Sequence, residues 1–272
     1  MQNNQRSVRF RILSVVALSA ASLLVLPGNR AVADDRGAAP GFVALGSVDA
    51  GIIQEIRYAT PHNFVGEPVD GYVQPLCILT RPAAQALHTV QEKLLRTGYS
   101  LKVYDCYRPQ RAVDHFVAWA QDLDDQAMKA EFYPDEDKED LFTDGYIAER
   151  SGHSRGSTMD LTIVKLPAKA TPPYVPGRPL VPCYAGQGER FPDNSVDMGT
   201  GYDCFDTLAN TLDPRVTGAP RANRLKLKTA MEAAGFTNLP VEWWHYTLDD
   251  EPYPDTYFDF PVAASSVNGH PR

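Results

Sequence analysis

One acidic residue lies inside a segment that otherwise has the pattern of a half-buried strand. Over residues 158–164, the apolar residues Met159, Leu161 and Ile163 alternate with polar ones, which predicts a strand. Asp160 falls in the middle of this strand, on the face opposite the apolar residues. A carboxylate in that position is costly unless a positive group compensates it. The fold must therefore bring such a group to Asp160.

Histidine and acidic residues that suit such a site occur in two short segments. His153 precedes Asp160 by a glycine-containing turn, while Glu242 and His245 lie among aromatic residues in the sequence VEWWHY. Two imidazoles and one carboxylate form the three-ligand set of a catalytic zinc, which leaves a fourth position for water. Glu242 then remains as a base for that water. Taken singly, each residue is more often a hydrogen-bonded core group, so the prediction depends on the joint pattern.

The other apolar patterns predict helices and strands that mix without a regular β-α-β order. Such a mixture favours an α+β fold. We predict a single domain with a central antiparallel sheet flanked by helices. The predicted elements are a helix capped by Thr80 that stops near Gly98, helices from Pro109 past Ala120 and over 221–234, strands over 101–105, 158–164 and 241–248, and a Pro/Gly-rich loop over 166–197.

The first 33 residues have the pattern of an export signal. They contain four arginines and no acid, and an apolar stretch over residues 12–26 precedes Ala31-Val32-Ala33, a small-x-small cleavage pattern. The apolar stretch is too short to span a bilayer comfortably. We predict a cleaved signal peptide over 1–33 and a periplasmic or secreted protein without stable membrane insertion. An uncleaved N-terminal anchor is the alternative.

The net charge excludes one class of partner. The chain has 34 acidic and 26 basic residues, a formal charge of -8. Because such a chain repels phosphate backbones overall, non-specific binding of nucleic acid is not expected.

The cysteines suggest disulfides rather than a second metal or redox site. No C-x-x-C pair is present, which argues against a thiolate zinc site or a thioredoxin-like pair. Four cysteines in an exported chain allow three pairings, with reduced buried cysteines as the alternative. We favour Cys77 with Cys106 and Cys183 with Cys204, because each bridge would join a loop to a neighbouring element. Four histidines lack acidic companions at ligand spacing and are predicted to be structural or solvated: His62, His88, His115 and His270.

The pattern His153-x6-Asp160 followed by Glu242-x-x-His245 resembles that of the D-Ala-D-Ala dipeptidases of the VanX type. This family belongs to the hedgehog/D,D-carboxypeptidase superfamily of zinc peptidases, so the resemblance implies a hedgehog/DD-peptidase-like fold. Further segments resemble the family in the same order along the chain. They are residues 63–72 (NFVGEPVDGY), 105–109 (DCYRP), 197–203 (DMGTGYD) and 250–261 (DEPYPDTYFDFP).

The resemblance implies a zinc site and a reaction. His153, Asp160 and His245 would bind one Zn²⁺ per chain. Glu242 would take the proton from the attacking water and return it to the leaving amine. Arg108 would stabilise the oxyanion, a role that suits a permanently charged planar group.

The resemblance also implies how the substrate would be held. Asp203 and Tyr146 would bind the free ammonium of a dipeptide, and Ser151 would help to orient it. The expected reaction is hydrolysis of the dipeptide D-Ala-D-Ala to two D-alanines. The alternatives are a D,D-carboxypeptidase or an L-Ala-D-Glu-type muropeptide peptidase of the same superfamily, and an inactive muropeptide-binding protein. The sequence predicts no oligomeric state.

Three features depart from the family pattern. Gly152 stands where a second serine precedes the first zinc-binding histidine, so one hydrogen bond to the substrate is expected to be lost. The Pro-rich loop over 165–195 is long, and we expect it to narrow the mouth of the pocket beside Asp203. The third departure is the predicted signal peptide.

We predict a lead-in over 34–52, a catalytic domain over 53–262 and a flexible tail over 263–272.

Overall fold

The predicted strand around Asp160 forms the third of five strands in the main sheet. The structure is a computed structural model that describes residues 37–268, so the predicted signal peptide lies outside the described residues. The strands are β1 (Phe42–Ala44), β2 (Ile53–Gln54), β3 (Ile78–Thr80), β4 (Tyr99–Asp105), β5 (Thr158–Lys165), β6 (Phe236–Asn238) and β7 (His245–Leu248). The helices are α1 (Arg81–Leu95), α2 (Gln110–Gln121), α3 (Lys129–Phe132), α4 (Gly218–Glu232) and α5 (Ala264–Asn268).

The main sheet has the strand order β2-β4-β5-β7-β6, and β1 pairs with β3 in a separate two-stranded sheet. The mixed α and β architecture agrees with the expected α+β class. The sheet is not wholly antiparallel, however, because β2 pairs with β4 in parallel. A parallel pair requires a crossover connection, and here α1 lies between the two strands in the chain and contacts β4.

Helix α1 follows the predicted apolar stripe. Its Ala83, Leu87 and Val90 are fully buried, which matches the period of an amphipathic helix. Thr80 stands at the N-cap, but its side chain makes no capping hydrogen bond. The hydroxyl is instead 2.7 Å from the hydroxyl of Ser157, in the turn before β5. A tertiary contact has therefore replaced the predicted local one.

Two element boundaries differ from prediction. Helix α4 begins at Gly218 rather than at residue 221. Strand β7 begins only at His245, whereas the aromatic run had predicted a strand from residue 241. The backbone N–H of Glu242 donates to the carbonyl of Leu239 at 3.0 Å, so the intervening residues form a turn. The buried indole rings of Trp243 and Trp244 occur here outside a strand.

Both favoured disulfides are present in the structure. Cys77 is bonded to Cys106, which joins the segment before β3 to the end of β4. Cys183 is bonded to Cys204, which ties the Pro-rich loop to the segment that follows Asp203.

Segments on both sides of the predicted catalytic domain, residues 53–262, also make contacts within the fold. Strand β1 lies in the predicted lead-in, yet it pairs with β3. Helix α5 lies in the predicted flexible tail, where the carbonyl of Ser266 accepts a hydrogen bond from the backbone of Ala38 at 2.8 Å. These backbone hydrogen bonds make β1 and α5 part of the folded domain. The described residues belong to one compact unit. Within residues 37–268, no helix combines the length and the apolar character needed to cross a bilayer.

Candidate active site

Strand register brings two of the predicted ligands side by side. Asp160 on β5 pairs directly with His245, the first residue of β7. On its other side, Asp160 pairs with Asp105 at the end of β4. His153 lies in a 3-10 turn, Gly152–Arg155, just before β5. The end of β4, the segment from His153 to Asp160 and the start of β7 therefore meet at one place on the central strands, although they are distant in sequence.

Three potential ligand atoms lie at nearly equal distances from one another. Asp160 Oδ1 is 3.3 Å from His153 Nε2 and 3.2 Å from His245 Nδ1. The two ring nitrogens are 3.3 Å apart. Ligands at zinc bond lengths of about 2.0–2.1 Å in a tetrahedron are separated by about 3.3 Å. Among the described residues, only these three gather as a group of histidine, cysteine or acidic side chains that could hold a metal ion.

The chemistry of the donor atoms also fits a cation. Asp160 Oδ1 is buried and has no hydrogen-bond partner, a costly state unless another group compensates it. Burial opposes ionisation of Asp160, but the two imidazoles outweigh it and hold the pKa of this carboxyl far below its usual value. Burial likewise opposes the charge on His245, yet Asp160 and Glu242 raise its pKa to about 9. This negative environment equally favours a bound metal ion.

The backbone of the residue that follows β4 orients the ring of His153. Its Nδ1 lies 2.8 Å from the carbonyl oxygen of Cys106. A carbonyl only accepts, so Nδ1 is the donor of this hydrogen bond and Nε2 is the ring nitrogen that faces Asp160. The disulfide to Cys77 anchors the residue that supplies this carbonyl. Such contacts are typical of metal-binding histidines.

Glu242 lies beside the three ligand atoms without being one of the group. Its Oε2 is 3.3 Å from His245 Nδ1, and the side chain is 24% exposed. The turn before β7 thus places a carboxylate at the open side of the site, where it can reach water.

Arg108 is held rigidly against the site by Asp105. Both Nε and Nη2 of Arg108 lie 2.9 Å from Asp105 Oδ2. Its guanidinium also lies over the rings of Tyr58 and Phe116, at 5.0 and 5.1 Å from their centroids. Burial opposes the charge, but Tyr58 and Asp105 raise the pKa of Arg108 well above its usual value. The arginine is therefore a fixed cation, with Nη2 3.6 Å from Asp160 Oδ2.

Ser151 caps the turn that carries His153. Its Oγ accepts a hydrogen bond from the backbone N–H of His153 at 3.3 Å, and Arg108 Nη1 donates to the same oxygen at 3.5 Å. The departure at Gly152 has a packing reason, because a Cβ there would come within 3.0 Å of Thr158 Oγ1.

Asp203 and Tyr146 lie on the wall of the same site. Asp203 has a left-handed backbone with φ of 55°, and its Oδ2 accepts a hydrogen bond from the hydroxyl of Tyr58 at 2.8 Å. Burial and the nearby Asp160 raise the pKa of Asp203 well above its usual value. Tyr146 stacks on Phe205 with ring centroids 5.0 Å apart.

One cavity of about 230 Å³ collects all of these side chains. This volume is smaller than that of pockets for drug-sized ligands, so it suits a small molecule. The predicted site residues that line it are Arg108, Tyr146, Ser151, His153, Asp160, Asp203, Glu242 and His245.

The Pro-rich loop does not shape this cavity as expected. No residue of 165–195 lines it; residues 145–148 and 150–152 and Leu239 contribute to the lining instead. The loop borders a separate, larger cavity of about 590 Å³, which contains none of the predicted site residues. The prediction followed from the bridge to Cys204, but that bridge brings no residue of the loop into the cavity lining.

Some neighbours of the site were not predicted. Tyr58 lies outside the segments that resemble the family and has no sequence signal that distinguishes it from a core tyrosine. Tyr202 could have been found, since it directly precedes Asp203 in the motif DMGTGYD. Asp105 could have been found, since it stands three residues before Arg108 in the motif DCYRP. The described histidines outside the site each contact an acid from another part of the chain, which sequence spacing did not reveal. The pairs are His62 with Glu131, His88 with Asp49, and His115 with Glu67.

Two imidazoles, one carboxylate and a second, more exposed carboxylate in one small cavity define a metal-dependent hydrolase. The family model for D-Ala-D-Ala dipeptidases, peptidase family M15, matches residues 38–169 and 192–263. The chain therefore belongs to this family of metal-dependent peptidases. Residues 170–191, within the Pro-rich loop, lie between the two matched parts.

Curated relatives agree with this assignment. The D-alanyl-D-alanine dipeptidase of Streptomyces coelicolor is 40% identical over 222 residues, which cover 82% of this chain and 98% of the relative. The enzyme of the same name from Enterococcus faecalis is 39% identical over 223 residues, with the same coverage. The Escherichia coli D-alanyl-D-alanine dipeptidase is 30% identical over 194 residues, covering 71% of this chain and 77% of the relative.

Proposed function

We propose that this protein is a zinc dipeptidase that hydrolyses D-Ala-D-Ala to two D-alanines. His153, Asp160 and His245 would hold one Zn²⁺ per chain. The observation that carries the proposal is the equal spacing of their three donor atoms, with Glu242 3.3 Å from one of them. Membership of the dipeptidase family supports the substrate.

Glu242 is the general base of the proposed reaction. Zinc in this site supplies Lewis-acid polarisation and makes a water molecule more acidic. Glu242 accepts the proton of the attacking water and then passes it to the amine that leaves. Its partial exposure beside the buried ligands suits this role, because the carboxylate can face both water and the substrate.

Arg108 stabilises the negative charge that develops on the scissile carbonyl oxygen. Its fixed position over Tyr58 and Phe116 supports this role, because an oxyanion is best stabilised by a donor that need not reorganise. Asp105 occupies Nε and Nη2. Nη1 has a long contact to Ser151, at 3.5 Å, and we assign this nitrogen to the substrate. Ser151 itself orients the substrate beside this group.

Asp203 and Tyr146 bind the free ammonium of the dipeptide. A buried carboxylate on the cavity wall pairs well with an ammonium and poorly with the neutral amide of a longer chain. The raised pKa of Asp203 fits this role, because a substrate cation compensates the charge that burial and Asp160 disfavour. This arrangement therefore selects dipeptides over longer peptides.

The proposed substrate can be tested with the purified, zinc-loaded protein. We expect hydrolysis of D-Ala-D-Ala, with little or no cleavage of L-Ala-L-Ala, D-Ala-L-Ala or a stem pentapeptide that ends in D-Ala-D-Ala. Preferred cleavage of the pentapeptide would instead indicate a carboxypeptidase. Absence of turnover on all four compounds would contradict an enzymatic role and favour a muropeptide-binding protein.

Asp203→Asn is expected to relax the selection for a free amino group. We expect kcat/KM for D-Ala-D-Ala to fall about a hundredfold, because the ammonium loses its ionic partner. The value for N-acetyl-D-Ala-D-Ala is expected to stay the same or rise. Asp255→Asn, which changes an exposed acid outside the cavity, is the matched control. Equal losses on both substrates would contradict a role in ammonium binding.

The proposal extends to fold and location. We infer that the sheet and its flanking helices form a hedgehog/DD-peptidase-like catalytic domain. The family match over 38–169 and 192–263 supports a domain that extends beyond 53–262. Two disulfides are typical of proteins outside the cytoplasm. They support a periplasmic or secreted enzyme that acts on free dipeptide there.

A further inference from the structure

The two oxygens of Asp160 have different surroundings. Oδ1 faces the two imidazoles and has no hydrogen-bond partner. Oδ2 accepts a hydrogen bond from the hydroxyl of Tyr202 at 3.0 Å. We propose that Tyr202 is a positioning residue that holds Asp160 so that only Oδ1 is offered to the metal. This inference rests on the proposed zinc site.

Competing acceptors do not take the proton of Tyr202. Its oxygen is also 3.3 Å from the hydroxyl of Tyr58. The hydroxyl of Tyr58, however, has the carboxylate of Asp203 at the shorter distance of 2.8 Å. A hydrogen bond to a carboxylate is stronger than one between two neutral hydroxyls. Each tyrosine therefore donates to its own carboxylate, Tyr58 to Asp203 and Tyr202 to Asp160.

The ring of Tyr202 is clamped on two sides. It stacks on Tyr104, with centroids 4.4 Å apart and an angle of 13° between the planes. The ring of Trp244 meets it edge-on at 5.6 Å. Tyr202 is only 4% exposed, so its hydroxyl cannot turn to water. A clamped donor restricts the rotation of the carboxylate that accepts from it.

A buried ionic cluster holds Tyr104 in turn. Its hydroxyl donates to the carboxylate of Asp193. Lys102 and Arg57 lie over its ring, at 4.9 and 5.2 Å from the centroid. These partners fix the ring on which Tyr202 stacks. The proposed metal ligand is thus supported through two stacked aromatic rings.

The Pro-rich loop fastens the same segment through its backbone. The N–H of Gly201 donates to the carbonyl of Cys183 at 2.7 Å, and Cys183 is bonded to Cys204. Tyr202 therefore lies between two points of attachment. Although the loop does not line the active-site cavity, it contacts the segment that supports the metal ligand.

Tyr202→Phe tests the inference, because it removes the hydroxyl and keeps the stacked ring. We expect zinc affinity, measured by competition with a chromophoric chelator, to fall about tenfold, as is typical when a hydrogen bond to a metal ligand is lost. We also expect the visible spectrum of the Co²⁺-substituted protein to change, because the carboxylate is free to rotate. Thermal unfolding of the metal-free protein reports any general loss of stability.

Tyr133→Phe is the matched control. It also removes a buried tyrosine hydroxyl, but this one, unlike that of Tyr202, has no hydrogen-bond partner. It should leave zinc affinity and the Co²⁺ spectrum unchanged. If Tyr202→Phe also leaves both unchanged, the positioning role is wrong while the zinc site stands. If the unsubstituted protein itself fails to bind zinc tightly, the proposed function is wrong instead.

Discussion

Glu242→Gln is expected to lower kcat for D-Ala-D-Ala by about a thousandfold while zinc remains bound. Loss of a general base typically costs a factor of 10² to 10⁴. Glutamine keeps the shape of the side chain but cannot accept a proton. Its amide can still contact His245, which lies 3.3 Å from Glu242 Oε2, so the ligand cluster should stay in place. Steady-state kinetics and metal analysis of the same preparation measure both effects.

The control for this variant is Glu232→Gln. Glu232 lies at the end of α4, is 45% exposed and pairs with Lys228. The same chemical change there should leave kcat and zinc content unaltered. A Glu242→Gln protein that retains zinc and full activity would contradict the assignment of the base. A protein that loses its zinc would instead indicate that Glu242 is a ligand.

Asp160→Asn is expected to weaken zinc binding by more than about a hundredfold and to abolish turnover at limiting zinc. Asparagine is nearly isosteric, so the effect isolates the negative charge of the only anionic member of the ligand group. Loss of a ligand exceeds the 10- to 100-fold cost of losing a contact to a ligand. Chelator competition measures the affinity, and activity is followed as zinc is added.

A buried acid elsewhere provides the comparison for Asp160. Asp213 is 9% exposed and bonds to Arg215 outside the active-site cavity. Asp213→Asn should change stability more than zinc affinity. Unchanged zinc affinity in Asp160→Asn would refute the proposed ligand set, because the remaining two imidazoles alone would then suffice.

Local patterns predicted the main elements well. The alternation around Asp160 and the stripe of Ala83, Leu87 and Val90 are properties of neighbouring residues, so periodicity reveals them. The strand expected from residue 241 was too long, because the prediction rested on the preference of aromatic residues for strands. Here Trp243 and Trp244 are buried in a turn. The parallel pairing of β2 with β4 had no signal in the sequence at all.

The candidate site was predictable to the extent that its residue types are distinctive. Two histidines and two acids in short motifs suggested their chemistry before any geometry was known. The roles of Tyr58 and Tyr202 were not predictable, because a tyrosine that donates to a buried carboxylate looks the same in sequence as one that fills a core. The effect expected of the Pro-rich loop was wrong for a related reason. A disulfide to Cys204 specifies one contact of the loop, but it does not determine the course of the rest of the loop.

The sequence by itself determined which donor groups this protein has and predicted the strand that carries Asp160. It did so because side-chain chemistry and backbone periodicity are local. Only the tertiary structure decided that Asp160 pairs with His245 across two strands and that its two oxygens face different partners. Those facts depend on register and on contacts between segments far apart in the chain. A metal site needs donor atoms placed to within tenths of an ångström, and only packing of the whole domain sets such distances.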